Sequence, residues 1–124
     1  MSPQDRNPEG KVHGEVVSEI SEGMVRLLKE NYGTGPSETK TIYGDDMVLC
    51  VMRGGFIKVE QTLNEAGRSE IIDQLRGAFQ RVMAPEFKSV VETATGRKVV
   101  AFMSGSAHGP DMMGEIFVLE PRSG

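Results

Sequence analysis

The segment Glu38-Thr-Lys-Thr-Ile-Tyr-Gly-Asp-Asp-Met-Val-Leu-Cys-Val-Met-Arg53 reads as a β-hairpin. Its first arm, 38–43, is β-branched and partly polar, the composition of a half-exposed strand. Its second arm, 47–53, is apolar at successive positions, which predicts a strand covered on both faces. Gly44-Asp45-Asp46 supplies the turn, where aspartate is favoured for backbone reasons alone. A lone hairpin is marginal in water, so this one must join further strands and bury its apolar side against other elements.

On its N-terminal side, residues 14–31 predict a helix. Val17, Ile20, Met24 and Leu27/Leu28 recur every three to four positions. Glu15 stands in the first turn and Arg26 and Lys29 near the last, the order the helix dipole favours. Gly33-Thr-Gly35-Pro36 then stops the helix. On the C-terminal side, residues 57–66 predict a short helix ending near Gly67. Ser69 opens another over 69–83, with Ile72, Leu75, Phe79, Val82 and Met83 as its apolar stripe. Ala84-Pro85 is expected to break it, with Pro85 starting a following run through Phe87, Val90, Val91 and Ala94 to Gly96. Residues 97–104 predict a strand whose start, Arg97-Lys98, reads as solvated. Residues 105–114 predict a glycine-rich loop, and 115–120 a last strand ended by Pro121.

At the level of packing elements the order is α-β-β-α-α-β-β. Two hairpins in one chain predict a single antiparallel sheet with helices packed on it, a two-layer α+β sandwich. Residues 1–12, polar and holding two prolines, read as a disordered arm, 13–121 as one domain, and 122–124 as a tail. A chain of 124 residues is one domain's worth and builds a core without disulfides or metal. An unprotected edge strand is a route to a homodimer.

Composition excludes several classes. Fourteen Lys and Arg against 18 Asp and Glu leave a net charge of −4 with no basic stripe, so nucleic acid is not an expected partner. The single cysteine, Cys50, permits no internal disulfide and no paired-cysteine zinc site, and reads as a buried structural thiol. The N-terminal residues carry no secretion signal, and the longest apolar run, Met47–Met52, falls far short of the ~20 residues a membrane span requires. The chain therefore reads as soluble, with any membrane role exercised through a partner or its surface.

The stretch Ser104-Gly-Ser-Ala-His-Gly-Pro-Asp-Met-Met-Gly-Glu115 holds the candidate site residues: Ser104, Ser106, His108, Asp111, Met112, Met113 and Glu115. Ser106, His108 and Asp111 are the residue types of a nucleophilic triad, but their spacing is not that of a nucleophile elbow. His108, Asp111 and Glu115 are metal-ligand types without an established ligand spacing, and His13 is the only other imidazole. Met112 and Met113 serve either core filling or an adaptable partner surface. Neither Gly33-Thr-Gly35 nor Gly54-Gly55 has the context of a phosphate loop. No cofactor, metal or catalytic residue is assigned from these patterns.

Taken in order, these motifs resemble a known family. They are Met24-Val-Arg-Leu-Leu-Lys-Glu-Asn-Tyr-Gly-Thr-Gly-Pro36, Tyr43-Gly-Asp-Asp-Met-Val-Leu-Cys-Val-Met-Arg-Gly54, Glu60-Gln-Thr-Leu-Asn-Glu-Ala-Gly67, Phe79-Gln-Arg-Val-Met83, Thr95-Gly-Arg-Lys-Val-Val-Ala-Phe-Met-Ser104, Pro110-Asp111 and Glu115-Ile-Phe-Val-Leu-Glu-Pro121. The set is similar to the MpsC-like family of small bacterial proteins over roughly residues 14–121. The resemblance implies a soluble component of a sodium-translocating, membrane-potential-generating system. The expected function is an accessory or regulatory subunit, not an enzyme, in the cytoplasm or peripheral to the inner face of the membrane. Its expected partner is an integral membrane transporter subunit. Two rivals are a small-molecule or ion sensor with 104–115 as a lid, and a small enzyme using His108 and Asp111.

Overall fold

The computed structural model describes residues 10–55 and 57–122. Most of the expected arm and the end of the tail, residues 1–9, 123 and 124, lie outside the described residues. Next to them Lys11 is held, with Nζ 2.7 Å from Glu19 Oε1 and donating to the Thr93 carbonyl.

The elements are α1 (His13–Tyr32), β1 (Glu38–Gly44), β2 (Met47–Arg53), α2 (Lys58–Glu65), α3 (Ser69–Thr95), β3 (Val99–His108) and β4 (Asp111–Leu119). The four strands form one antiparallel sheet in the order β1-β2-β4-β3. The two hairpins thus join through β2 and β4. This is the two-layer α+β fold the element order predicts.

Helix α1 buries Val16, Ile20, Gly23, Met24, Leu27 and Leu28 and ends at Gly33, which takes the left-handed conformation at φ 93°. Gly23 faces α3 so closely that a Cβ there would lie 2.7 Å from Val90 Cγ1. The absent side chain is what lets the two helices approach. α1 packs against β1 and α3, and α3 against β3.

Four expectations are corrected. Helix α3 runs unbroken through Pro85. Its buried positions Ile72, Arg76, Gln80, Met83, Phe87, Val91 and Ala94 keep one spacing on both sides of the proline, while Pro85 itself is exposed. Water on that side can serve the carbonyl that the missing N–H leaves unpaired, and burial of the continuous stripe holds the helix together. The stripe is also rotated from the one expected: Leu75 and Val82 are exposed, and Arg76 and Gln80 point inward.

The expected loop 105–114 is instead the outer half of the β3–β4 hairpin. Gly105 pairs with Gly114, Ser106 with Met113, Ala107 with Met112 and His108 with Asp111, around a two-residue turn at Gly109-Pro110 whose peptide bond is cis. Backbone pairing propagates from the apolar half of the hairpin through residues that individually favour turns.

Strand β2 is covered on one face only. Val48, Cys50 and Met52 are fully buried, whereas Met47 is half exposed and Leu49 and Val51 are partly exposed. Helices α1 and α3 lie on the side of Tyr43, Val48, Cys50, Phe117 and Leu119 and form the core with them, and α2 packs on α3.

Candidate functional site

The helix-facing side of the sheet is not uniformly apolar. Thr41, Cys50, Glu115 and Ser104 stand side by side across the four strands. Ser21 Oγ of α1 lies 2.7 Å from Thr41 Oγ1, which donates weakly to Cys50 Sγ at 3.6 Å. Glu115 is fully buried, and Gln80 Nε2 of α3 donates to its Oε2 at 2.7 Å and to the Gly105 carbonyl at 3.0 Å. Glu115 Oε1 has no hydrogen-bond partner among the described residues. Burial, opposed only by the Gln80 hydrogen bond, pushes the Glu115 carboxyl up to about 8. The Cys50 thiol is pushed up to about 11, chiefly by burial, which is the inert structural thiol the apolar strand predicts.

One helical turn before Gln80 lies a second buried group. Arg76, fully buried in α3, donates from Nε to Glu60 Oε2 at 2.9 Å and from Nη2 to Glu60 Oε1 at 3.3 Å. Its Nη1 lies 2.7 Å from Asp111 Oδ1. Tyr32 at the end of α1 donates its hydroxyl to Glu60 Oε2, and the Ile57 N–H donates to Glu60 Oε1 at 3.1 Å. Burial alone would raise the Glu60 carboxyl, but the hydrogen bonds from Arg76, Tyr32 and Ile57 hold it below its ordinary range. Burial likewise works against the Arg76 charge, and its two carboxylate partners outweigh that and raise it. The result is a fixed cation held by two anions that ties α1, α2, α3 and β4 together. Each of these charges is compensated, which is the condition for burying them.

At the tip of the hairpin, His108 Nε2 lies 2.5 Å from Asp73 Oδ1 of α3. At the opposite end of the sheet, Arg97 is buried, not solvated. It donates to the carbonyls of Asp45 at 2.8 Å and Glu120 at 2.9 Å and pairs with Asp46, clamping the β1–β2 turn to the end of β4.

The seven sequence candidates do not converge on one point. Ser104 is exposed on the outermost strand, level with Glu115, and Ser106 lies opposite Met113. Met113 is in the core, while Met112 stands on the open face of the sheet. His108 is engaged with Asp73 and Asp111 with Arg76, so both acid–base candidates are committed to contacts with α3. Among the described residues no group of three or more His, Cys, Asp or Glu is placed to hold a metal ion.

Glu60, Arg76, Gln80, Tyr32 and Asp73 escape a reading based on apolar periodicity. The available signal was Arg76 and Gln80 lying four apart between Ile72 and Met83, in phase with the apolar positions. Two long polar side chains there place a hydrogen-bonding network inside the protein.

The model of a family described as "Na+-translocating membrane potential-generating system (MpsC)" matches residues 12–121, nearly the whole chain. No curated protein and no solved structure gives a significant match.

Proposed function

The chain belongs to the MpsC family, whose description names a Na+-translocating membrane potential-generating system, and from that membership we propose that it is an accessory or regulatory subunit of such a system. In this reading it has no catalysis of its own, acts as a homodimer, and binds an integral, ion-carrying subunit from the cytoplasmic side of the membrane. The family match over residues 12–121 carries the proposal. Two further observations support it. Among the described residues no helix is long and apolar enough to cross a membrane, so contact with embedded machinery would run through the protein surface. The His, Asp and Arg side chains that resemble chemical groups are spent on holding elements together. The test is an affinity pull-down of the tagged chain from detergent-solubilised cells, read by quantitative mass spectrometry. An integral membrane protein enriched well above a tag-only control is the expected result; return of the bait alone would sink the reading.

One observation favours a second reading, an ion- or small-molecule-sensing homodimer. Among the described residues Glu115 Oε1, in the core at the end of the 104–115 stretch, has no hydrogen-bond partner. A thermal-shift screen over monovalent cations, anions, nucleotides and pH tests it, and a flat response to all of them would remove it.

A further inference from the structure

Among the described residues nothing covers the side of the sheet turned away from the helices, and one end of that face is apolar. The register stacks it into rows across the strands. One row is Met47, Val118 and Ala101; the next is Ile42, Leu49, Ile116 and Met103. Neither row holds a charge. Ile42, Met47 and Met103 expose about half of their surface (52%, 50% and 52%), and the neighbours between them are partly exposed. The charges of this face, Glu38, Lys40 and Arg53, sit together toward the other end, where Lys40 and Val51 share a row with Gly114 and Gly105. A shallow depression of about 460 Å³ lies there, bordered by Lys40, Val51, Arg53 and Met112.

We propose that this open face is the interface of a homodimer in which two copies stack sheet on sheet about a two-fold axis running along the strands. This rests on the homodimer part of the reading above and is independent of the membrane partner.

The pattern itself selects a second copy and its orientation. An axis along the strands lays β1 over the partner's β3 and β2 over the partner's β4 while keeping each row opposite its own counterpart. Ile42 then meets the partner's Met103, and Leu49 the partner's Ile116. Lys40 and Val51 lie over the glycine-floored positions Gly105 and Gly114, large against small, and the Glu38 and Lys40 side chains of the two copies, carried on the edge strand β1, stay on opposite flanks. An axis across the strands would instead press the apolar rows onto Glu38, Lys40 and Arg53, burying unpaired charge. With Ile42, Met47 and Met103 each about half exposed, the apolar patch is of order 500 Å² per copy, and covering it fully in both copies would bring the pair to about 1,000 Å², the lower end for a specific interface. Sheets packed this way lie ~10 Å apart with strands nearly aligned.

Pairing through a sheet edge is the competing geometry. Both edges are blunted against it. β3 carries a bulge between Val99 and Ala101 that breaks its ladder, and β1 carries Glu38 and Lys40.

The experiment is sedimentation of the full chain up to about 100 μM, together with the single variants Ile42→Glu and Met103→Glu. Both positions are half exposed, so the fold should survive, which thermal melts check. The wild-type chain should be dimeric, and each glutamate should raise the dissociation constant at least about a hundredfold. A bismaleimide spanning ~10 Å should couple copies of Ile42→Cys/Met103→Cys into dimers. A monomeric wild-type chain would overturn the dimer and this face together. A dimer indifferent to both glutamates would overturn the face alone. Efficient disulfide formation by Met103→Cys by itself would assign the contact to the β3 edge and overturn the stacked arrangement.

Discussion

Gln80 Nε2 sits 2.7 Å from Glu115 Oε2 in a part of the core where neither side chain meets solvent. Among the described residues that amide is the one hydrogen-bond donor the carboxyl is given, and no cation is paired with it. Arg76, one turn away, is already shared between Glu60 and Asp111. The protein therefore holds one buried carboxyl that is neutralised by a fixed cation and another that is best buried with its proton on.

The first prediction is a pH dependence of stability above the acid range. With the folded Glu115 carboxyl at about 8 and an unfolded glutamate near ~4.3, the native state holds a proton that the unfolded chain has released. Stability from this group is complete below the unfolded value, falls as pH rises toward about 8, and stops falling above it. Glu60, held low by Arg76, contributes the opposite slope only in more acidic solution. Urea denaturation between pH 5 and 8.5 should show the decline in the wild-type chain, of order a few kcal/mol. Glu115→Gln should abolish most of it and be the more stable protein at the alkaline end. Parallel curves for the two would refute the assignment.

Arg76→Met should cost about 3–5 kcal/mol, because it leaves Glu60 and Asp111 buried without their cation. Arg76→Lys should recover only part of this, since an ammonium cannot repeat the fork that reaches Glu60 through two nitrogens while a third meets Asp111. Chemical denaturation midpoints of the two variants provide the check. A lysine variant as stable as the wild type would mean that charge alone is required.

Gly23→Ala should destabilise by about 1–3 kcal/mol through overpacking against Val90. Combining it with Val90→Ala should give less than the sum of the two single effects, because the second change opens the space the first one fills. Additive losses in the double-mutant cycle would place the strain elsewhere.

Cys50 should resist thiol reagents in the native protein near neutral pH, being fully buried with its thiol pushed up to about 11. The same reagent should react at once in denaturant. Its native rate should follow the opening of the fold, so destabilised variants such as Arg76→Met should label faster. Rapid labelling of the intact wild-type chain would contradict the burial.

Element order, the two hairpins and the antiparallel sheet were legible in the amino-acid sequence, because each rests on local physics, whereas the family was legible only through the resemblance of the ordered motifs. Apolar spacing in α1, the β-branched arms around Gly44-Asp45-Asp46, and Gly33 and Gly96 as left-handed helix ends are signals carried within a few residues. Where neighbours in sequence were a poor guide, the tertiary fold decided. Pro85 did not end α3, because one missing hydrogen bond on a wet face weighs less than a continuous buried stripe. Ser104 to His108 became strand, because the β4 backbone offered partners that no local propensity reveals. Arg76 and Gln80 stood in phase with the apolar positions of α3, but the partners that let them and Glu115 go inside were visible only in three dimensions. A buried polar group is tolerable when its partner arrives from another element, here Glu60 from α2, Asp111 from β4 and Gln80 from α3. The bare apolar face has the same origin. That β2 is apolar on both sides could be read from its residues, but which side the helices would leave uncovered was settled only by how the two hairpins joined.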